Sequence, residues 1–388
     1  MTTRRKALSH AMVAMASAPS VANAVAKSIT NRLDETWLDE THQATLPKGA
    51  TLRIVAKSGS APAAESDYLW HSAPDGGTCF GTPDGGWVYV SNSEMNNDTG
   101  GCGAIRFDKK ADVVDAYSIL RNTSRNCAGG ASLWNTWLSC EETPTGQVYE
   151  CDPMGKKPAR VLPALGSFNH EAVAMDPKTG QMYLTEDQPD GCLYRFTPTK
   201  AGDLSSGKLE VGVLNNNAPT LAWQAIADPS AKTQPTRYQV KEAARFRGGE
   251  GIVYHNGSVF FTTKIDNRVW SLALADYALN IVYDAANFIK PVLTGVDNIE
   301  VSQNGELLVA EDGGNMQIAA ITPTGGALPL ITLHNQDRSE ITGPAFSPDG
   351  SKLYFSSQRG FTGRSEDGIT YELSLPWRAT IGLYEKPR

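Results

Sequence analysis

A hairpin pattern recurs six times along the chain and constrains its fold more than any other feature. Most units join two short β-rich runs across a Gly-containing turn, such as Asp84-Gly85, Asn256-Gly257 and Asp349-Gly350. Asn-Gly and Asp-Gly between β runs are strong hairpin signals. The first runs cover 76–84, 127–134, 170–177, 249–256, 297–304 and 342–349, and the second runs cover 86–94, 135–143, 180–188, 257–266, 305–314 and 351–360.

The spacing of the hairpins predicts the architecture. Most units follow one another at intervals of about 45 residues, close to the length of a four-stranded propeller blade. The third and fourth units lie about 79 residues apart, which we interpret as an insertion over roughly 198–245. The sequence therefore predicts an all-β fold, a six-bladed β-propeller with an insertion between the third and fourth blades, closed by a strand near 50–57. An irregular pair of β-sandwiches explains the repeat less well.

The N-terminus has the form of an export signal. Arg4-Arg5-Lys6 resembles a twin-arginine motif, a weakly apolar stretch covers 11–22, and Ala22-Asn23-Ala24 is a small-x-small cleavage site. We therefore predict a signal peptide over 1–24, a linker over 25–49 and the propeller over 50–388. The protein is then periplasmic or secreted. An ordinary Ala-rich N-terminus is the alternative.

Charge and hydropathy exclude several classes of partner. The net charge is −7 and no Lys/Arg-rich stripe occurs, so nucleic acid is not an expected partner. No apolar run approaches the ~20 residues that span a bilayer. The six cysteines include no CxxC pair, which excludes zinc-ribbon and thioredoxin-like motifs, although export would allow some of them to pair. We expect a monomer that acts on a small molecule.

Acidic residues are concentrated where each blade would meet the central channel. Residues that start the first strand of a blade, or that follow its second strand, gather at one mouth of the channel. Carboxylates crowded there repel one another, and cations relieve the repulsion. Oxygen ligands suit calcium or magnesium, whereas a thiolate at Cys127 indicates a softer metal such as iron or zinc. The candidate ligands are Glu94, Cys127, Glu141, Glu142, Glu171, Glu186, Asp187, Glu250, Asp266, Asn298, Glu311 and Asp312.

Other interpretations of these residues stay open. Each acid could be a solvated turn residue, and Cys127 could be half of a disulfide or a small buried side chain. Adjacent side chains on a strand point in opposite directions, so we expect only one of Glu141 and Glu142 to face a metal.

Two motifs in the second predicted blade resemble those of PhoX-type alkaline phosphatases. They are NCAGG at 126–130 and TWLSCEE at 136–142. The NHEA stretch at 169–172 and the GPAFSPDG stretch at 343–350 resemble later parts of the same family. The resemblance spans most of the chain, roughly 70–360. It implies an exported propeller that hydrolyses phosphate esters at an axial iron–calcium cluster.

The resemblance also implies roles for individual residues. The family's cysteine ligand to iron corresponds to Cys127, and its acidic ligands correspond to Glu141 or Glu142, Glu171, Asp187 and Glu250. Arg247 and Glu250 are the expected catalytic residues, and Arg247 or Arg359 could bind phosphate in a bidentate manner. Surface positions are the alternative for both arginines.

The chain departs from the family pattern at three places. Ser93 replaces a histidine, Arg247 and Glu250 are one residue further apart than in Arg-x-Glu, and Arg359 stands in the closing Gln-His-Pro-Gly motif. Two other functions therefore remain alternatives: a calcium-dependent lactonase-like hydrolase, and a non-catalytic propeller that binds calcium.

Overall fold

The computed structural model describes residues 33, 35–303, 305–312 and 314–375 of the chain. These residues form six antiparallel sheets arranged as the blades of a propeller, as the hairpin spacing predicts. The predicted signal peptide over 1–24 lies outside the described residues. In chain order the strands are β1 (Thr36–Asp39), β2 (Ala44–Pro47), β3 (Thr51–Lys57), β4 (Pro74–Gly81), β5 (Trp87–Ser93), β6 (Gly100–Phe107), β7 (Val113–Thr123), β8 (Asn126–Ala131), β9 (Trp137–Glu141), β10 (Val148–Cys151), β11 (Arg160–Val161), β12 (His170–Met175), β13 (Met182–Glu186), β14 (Leu193–Lys200), β15 (Asp203–Leu214), β16 (Leu221–Ala225), β17 (Gly249–His255), β18 (Ser258–Thr263), β19 (Arg268–Ala273), β20 (Leu279–Asp284), β21 (Val296–Val301), β22 (Leu307–Glu311), β23 (Gln317–Ile321), β24 (Ala327–Leu333), β25 (Ile341–Phe346), β26 (Lys352–Ser357) and β27 (Ile369–Ser374).

The blades follow the chain, with exceptions at the N-terminus. Blades one and two are β4 to β7 and β8 to β11, and blade three is β12 to β16. Blade four is β17 to β20, and blade five is β21 to β24 with β2 and β1 added at its outer edge. Blade six is β25 to β27 completed by β3. Short 3₁₀ helices cover Pro163–Leu165, Thr236–Tyr238, Ala285–Asn287 and Ser365–Asp367. No helix in the described part of the chain is long and apolar enough to cross a membrane.

The ring closes through the pairing of an N-terminal and a C-terminal strand. β3 runs antiparallel to β27, with Lys57 opposite Ile369 and Thr51 opposite Ser374. This confirms the predicted closing strand near 50–57. The first strands of neighbouring blades contact each other all the way round, from β4 to β8, β12, β17, β21, β25 and back to β4. These six strands therefore surround the central axis.

Hydrophobic layers between neighbouring blades hold the propeller together. A sheet packed on both faces needs apolar side chains at successive positions, and all seven residues of β5 are buried. Val88 and Val90 pack against Trp137 of blade two. Trp87 and Tyr89 point the other way, because side chains alternate along a strand, and pack with Tyr354 of blade six.

Two of the predicted segments contain strands of the blades. The predicted insertion over 198–245 includes the end of β14, all of β15 and a fifth strand, β16, and the segment 226–245 follows these strands. The sequence of the outer strands is polar because much of β15 is exposed, and a polar segment resembles an insertion. The predicted linker over 25–49 contains β1 and β2, whose Ala44 and Leu46 are fully buried against blade five.

Every blade carries an irregularity near the start of its first strand. The pairing between the first and second strands shifts there by one residue, as in a β-bulge. Such an extra residue changes the direction of the following side chains, and bulges are common beside active sites. The shifts lie between Pro74 and Gly77, Asn126 and Gly129, His170 and Val173, Gly249 and Ile252, Val296 and Ile299, and Thr342 and Ala345.

Candidate metal centre

Two rings of residues occupy one mouth of the channel, because an antiparallel hairpin brings the start of one strand to the end of its partner. The inner ring consists of the residue that follows, in each first strand, the pairing partner of the last residue of the second strand: Asp75, Cys127, Glu171, Glu250, Asp297 and Thr342. The outer ring consists of the residue that follows each second strand: Glu94, Glu142, Asp187, Lys264, Asp312 and Gln358. Both rings are mainly acidic.

The ligand atoms of these rings approach one another closely enough to share cations. Four overlapping groups of three residues each have their ligand atoms within 4.8 Å of one another. Together the groups form one continuous cluster around the mouth, here called the acidic cluster. Its members are Asp75, Glu94, Cys127, Glu142, Glu171, Glu250, Asp297, Asp312 and Glu340.

Glu171 is the most informative member of the acidic cluster. Its side chain is completely buried, and its Oε1 accepts a hydrogen bond from Cys127 Sγ at 3.2 Å. Its Oε2 is buried without a hydrogen-bond partner among the described residues. Burial, together with the nearby Glu250 and Asp297, holds the pKa of Glu171 well above its usual range. A buried carboxylate oxygen without a partner is costly, and a bound cation is the usual remedy.

Cys127 is held in place from the neighbouring blade. Asn92 Nδ2 donates to the carbonyls of Cys127 and Ala128 at 3.2 and 2.8 Å. Asn92 Oδ1 in turn accepts from Trp137 Nε1 at 2.9 Å and Ser139 Oγ at 2.8 Å. Burial and the surrounding acids raise the pKa of the Cys127 thiol. The thiolate form therefore needs a cation beside it, as metal ligation supplies.

Three cationic side chains already neutralise part of the cluster. Arg125 contacts Glu94 at 3.2 Å and also pairs with Glu142. Burial nevertheless raises the pKa of Glu142 to about 8. The other two cations lie across the mouth: Lys264 Nζ is 2.9 Å from Glu250 and 3.2 Å from Asp312, and Arg359 is 2.6 Å from Glu340.

In three blades, only the second member of an acidic pair faces the mouth. The first members accept hydrogen bonds within their own blades. Glu141 accepts from the Ser124 N–H at 3.0 Å, Glu186 from the Tyr194 hydroxyl at 2.8 Å, and Glu311 from the Gly295 N–H at 3.2 Å. The cluster therefore includes Glu142 and not Glu141, and Asp312 and not Glu311. Alternation along the strand explains the division.

Asn298 was predicted as a ligand, and both ends of its amide make hydrogen bonds within the described residues. Asn298 Oδ1 accepts from the Gly343 N–H at 2.6 Å, and its Nδ2 donates to Asp297 Oδ1 at 2.9 Å. The bulge in β21 places Asp297, the residue before it, in the cluster. Asn298 thus positions the acid that precedes it.

The remaining candidates lie at or beyond the rim. Asp187 belongs to the outer ring, and burial raises its pKa, but it is not in the acidic cluster. Asp266 pairs with Arg268 at 3.0 Å. Arg247 is exposed and takes part in none of the ion pairs formed by the described residues. It precedes Gly248, whose backbone lies against Asp187. All six cysteines, which lie within the described ranges, are free thiols.

Sequence reasoning missed several residues of the mouth. Asp75, Asp297 and Glu340 belong to the acidic cluster, and Lys264 and Gln358 belong to the outer ring. Gln358 Nε2 donates to Asp75 at 2.6 Å and to Glu94 at 2.9 Å. Aligning the six hairpins on the residue after the second strand would have identified Lys264 and Gln358. Glu340 precedes its hairpin, so the repeat pattern carries no signal for it.

The channel continues beneath the acidic cluster as an apolar cavity of about 360 Å³. Residues next to the inner ring, including Ala128, Ala172 and Gly251, form its upper wall. Glu300 lines the cavity further down, and burial raises its pKa to about 7. Glu300 is thus an acid of the channel that lies outside the acidic cluster.

Comparison with known proteins places this geometry in context. A family model described as alkaline phosphatase PhoX matches residues 76–288. The structure of Pseudomonas fluorescens PhoX in complex with vanadate, a transition state analogue, is similar with a TM-score of 0.73 and 16% identity, covering 86% of this chain and 96% of that one. The gluconolactonase XC5397 from Xanthomonas campestris is similar with a TM-score of 0.52 and 11% identity, covering 85% of this chain and 91% of that one. No curated protein matches the chain. At these identities the structures show a shared fold.

Proposed function

Because the chain belongs to the alkaline phosphatase PhoX family, we propose that it is an exported phosphatase that hydrolyses phosphate esters with iron and calcium bound at the acidic cluster. The observation that carries the proposal is Glu171, a completely buried carboxylate with one unpartnered oxygen beside a cysteine thiol. Neither a solvated turn acid nor a structural ion pair has this arrangement. The donor set fits metal binding, since it combines one sulfur with several carboxylates.

The donor chemistry suggests which metal each group would hold. The thiol of Cys127 belongs to two groups, one with Asp75 and Glu94 and one with Glu142 and Glu171, and a sulfur ligand suits iron. Glu171, Glu250 and Asp297 offer oxygen alone, which suits calcium. When bound, such ions supply positive charge that attracts a phosphate dianion and polarises its phosphoryl oxygens.

The chain's own residues would bind and orient the phosphoryl group. Arg125 and Arg359 lie at the mouth with partly exposed guanidinium groups, and each is anchored on a buried glutamate. Anchored guanidinium groups present paired donors to phosphate oxygens at little entropic cost. Arg247 is the more mobile candidate, because its exposed side chain is not held by an ion pair. Glu250 remains a candidate for both ligation and catalysis.

Export and assembly belong to the same proposal. The twin-arginine-like segment at the N-terminus is the support for export to the periplasm or beyond. We retain the predicted monomer, in which one chain contains every residue of the proposed site.

Metal analysis of Cys127→Ala tests the proposal. Cys79→Ala is the matched control, because both thiols are half-buried and only Cys127 belongs to the acidic cluster. We expect iron in the wild type and in Cys79→Ala but not in Cys127→Ala, with hydrolysis of p-nitrophenyl phosphate lost in parallel and on chelation. Unchanged iron content in Cys127→Ala would refute the ligand role of the thiol. A metal-loaded wild type without activity on any phosphoester would refute the phosphatase.

The group of three carboxylates without a thiol supports a second candidate function. Glu171, Glu250 and Asp297 could hold a single calcium ion for a lactonase-like hydrolase. That function predicts calcium without iron, and full activity in Cys127→Ala. A non-catalytic calcium-binding propeller predicts metal without turnover of either substrate class.

A further inference from the structure

Lys264 breaks the chemical pattern of the outer ring. The other five positions carry oxygen donors, namely Glu94, Glu142, Asp187, Asp312 and Gln358. Lys264 holds the position in blade four, directly after β18. The ring geometry is the same in every blade, so this sequence difference changes the chemistry of the mouth without changing its backbone.

The Lys264 ammonium lies where a shared cation would lie. Its Nζ lies 2.9 Å from Glu250 Oε1, and the two groups form an ion pair whose angles do not fit a hydrogen bond. The same Nζ donates a hydrogen bond to Asp312 Oδ2 at 3.2 Å. Glu250 and Asp312 belong to two groups of the acidic cluster that have Asp297 in common. Lys264 therefore bridges neighbouring candidate metal groups.

The two halves of the mouth differ in how their charge is balanced. Blades one to three form the thiol half, with Asp75, Glu94, Cys127, Glu142, Glu171 and Asp187. Blades four to six form the lysine half, with Glu250, Lys264, Asp297, Asp312, Glu340 and Arg359. In the thiol half five carboxylates face one arginine, Arg125, and Glu171 keeps an unpartnered oxygen. In the lysine half four carboxylates face two cationic side chains.

We propose that Lys264 is a built-in cation that takes the place of one metal ion in the lysine half, so that divalent cations bind in the thiol half and at its border with Glu250. The inference deepens the proposed function and rests on it to the extent that the acidic cluster binds metal. An ammonium group supplies one fixed charge and three donors, but it cannot accept a ligand. The chain then holds fewer exchangeable cations than a ring with an acid at position 264.

Calcium counting tests the inference on the full-length folded chain. Lys264→Gln removes the charge, and Lys264→Glu restores the acid found at four of the other ring positions. We expect both variants to bind about one more calcium per chain than the wild type, measured by equilibrium dialysis with elemental analysis. Added calcium should also raise their Tm more than that of the wild type, because ligand bound to the folded state stabilises it.

Two controls separate the bridging position from general charge and from misfolding. Lys264→Arg keeps the positive charge and should keep the wild-type calcium count. Lys352→Gln removes a lysine that is similarly buried and also paired with a carboxylate, Glu372 at 3.3 Å, at the end of β26 away from the mouth. Its calcium count should be unchanged, since Lys352 is far from the mouth.

The outcomes distinguish this inference from the proposed function. A calcium count that stays the same or falls in both Lys264→Gln and Lys264→Glu overturns the role of Lys264. A folded wild type that binds no divalent cation overturns both proposals. Extra calcium in the two variants, without hydrolysis of p-nitrophenyl phosphate by the metal-loaded wild type, supports the built-in cation and overturns the phosphatase.

Discussion

The thiol half and the lysine half of the mouth are built on the same strand geometry but handle negative charge differently. In the lysine half, Lys264 and Arg359 pair directly with Glu250, Asp312 and Glu340. In the thiol half, Glu171 and Cys127 interact with each other and leave a buried oxygen unsatisfied. Two halves with the same strand arrangement can therefore bind different cations. One side chain per blade decides whether the carboxylates are neutralised by a residue of the protein or by a bound ion.

The largest effect that we expect comes from neutralising one buried acid in each half. Glu171→Gln should weaken metal binding by more than about 100-fold, because no cationic side chain of the described residues pairs with Glu171. This loss exceeds the one typical of residues that only support the metal ligands. Glu250→Gln should cost at most about 10-fold, since Lys264 already occupies its Oε1. Iron and calcium titrations of the purified variants measure the difference.

Glu300→Gln is the control for that comparison, because Glu300 is a half-buried acid of the channel outside the acidic cluster. Its metal affinity should equal that of the wild type. Equal losses of metal affinity in Glu171→Gln and Glu250→Gln would contradict this comparison, because they would show that the two halves contribute equally to metal binding.

A smaller effect should follow from loosening the support of the thiol half. Asn92→Ala removes the donor that holds the Cys127 and Ala128 carbonyls and leaves Trp137 Nε1 without its acceptor. We expect metal affinity to fall about 10–100-fold and the free energy of unfolding to fall by about 1–3 kcal/mol. Calcium titration and urea unfolding measure the two losses, and stability that falls with unchanged metal affinity would restrict Asn92 to a packing role.

The pH dependence of the stability of the metal-free protein tests whether both halves contain buried, protonated acids. Burial raises the pKa of Glu142 to about 8 in the thiol half and of Asp297 to about 7 in the lysine half. The folded state then keeps protons that the unfolded state loses near its ordinary pKa of about 4, so stability falls as pH rises from about 5 to 8. We expect Tm in chelator to drop by several degrees over that range.

Bound calcium should reverse the pH effect, because metal ligands bind in the deprotonated form. Glu142→Gln should flatten the pH profile of the metal-free protein, because it removes the group with the higher pKa of the two. A Tm of the metal-free protein that rises between about pH 5 and 8 would contradict the assignment of buried, protonated acids at the mouth.

The smallest effect should come from the rim. Arg247→Ala should change the free energy of unfolding by less than about 0.5 kcal/mol, because the side chain is exposed and outside the ion pairs of the described residues. If Arg247 binds the phosphoryl group, KM for p-nitrophenyl phosphate should rise several-fold with a smaller change in kcat. Arg359→Ala provides the contrast, since it also breaks the pair with buried Glu340 and should lower Tm. Unchanged KM in Arg247→Ala would exclude the arginine from substrate binding.

Local turn chemistry made the fold predictable, whereas side-chain direction at the mouth was harder to predict. Asp-Gly and Asn-Gly turns such as Asp84-Gly85 and Asn256-Gly257 mark hairpins whatever they pack against. Their spacing was enough to predict the number of blades, and the β-rich run near 50–57 predicted the closing strand. The outer strands were harder to recognise in the sequence. β15 carries exposed polar residues, and β1 and β2 form their sheet with a segment almost 300 residues away.

The sequence by itself determined that six hairpins form six blades and that acids, with Cys127, collect where those hairpins meet the axis. Only the tertiary structure decided which of them face one another. The bulge in β21 brings Asp297 into the cluster, and packing between blades four and five places Lys264 against Asp312. The physical reason is that a turn depends on neighbouring residues, whereas side-chain direction at a bulge and contact across a channel depend on strands that pair and pack at a distance.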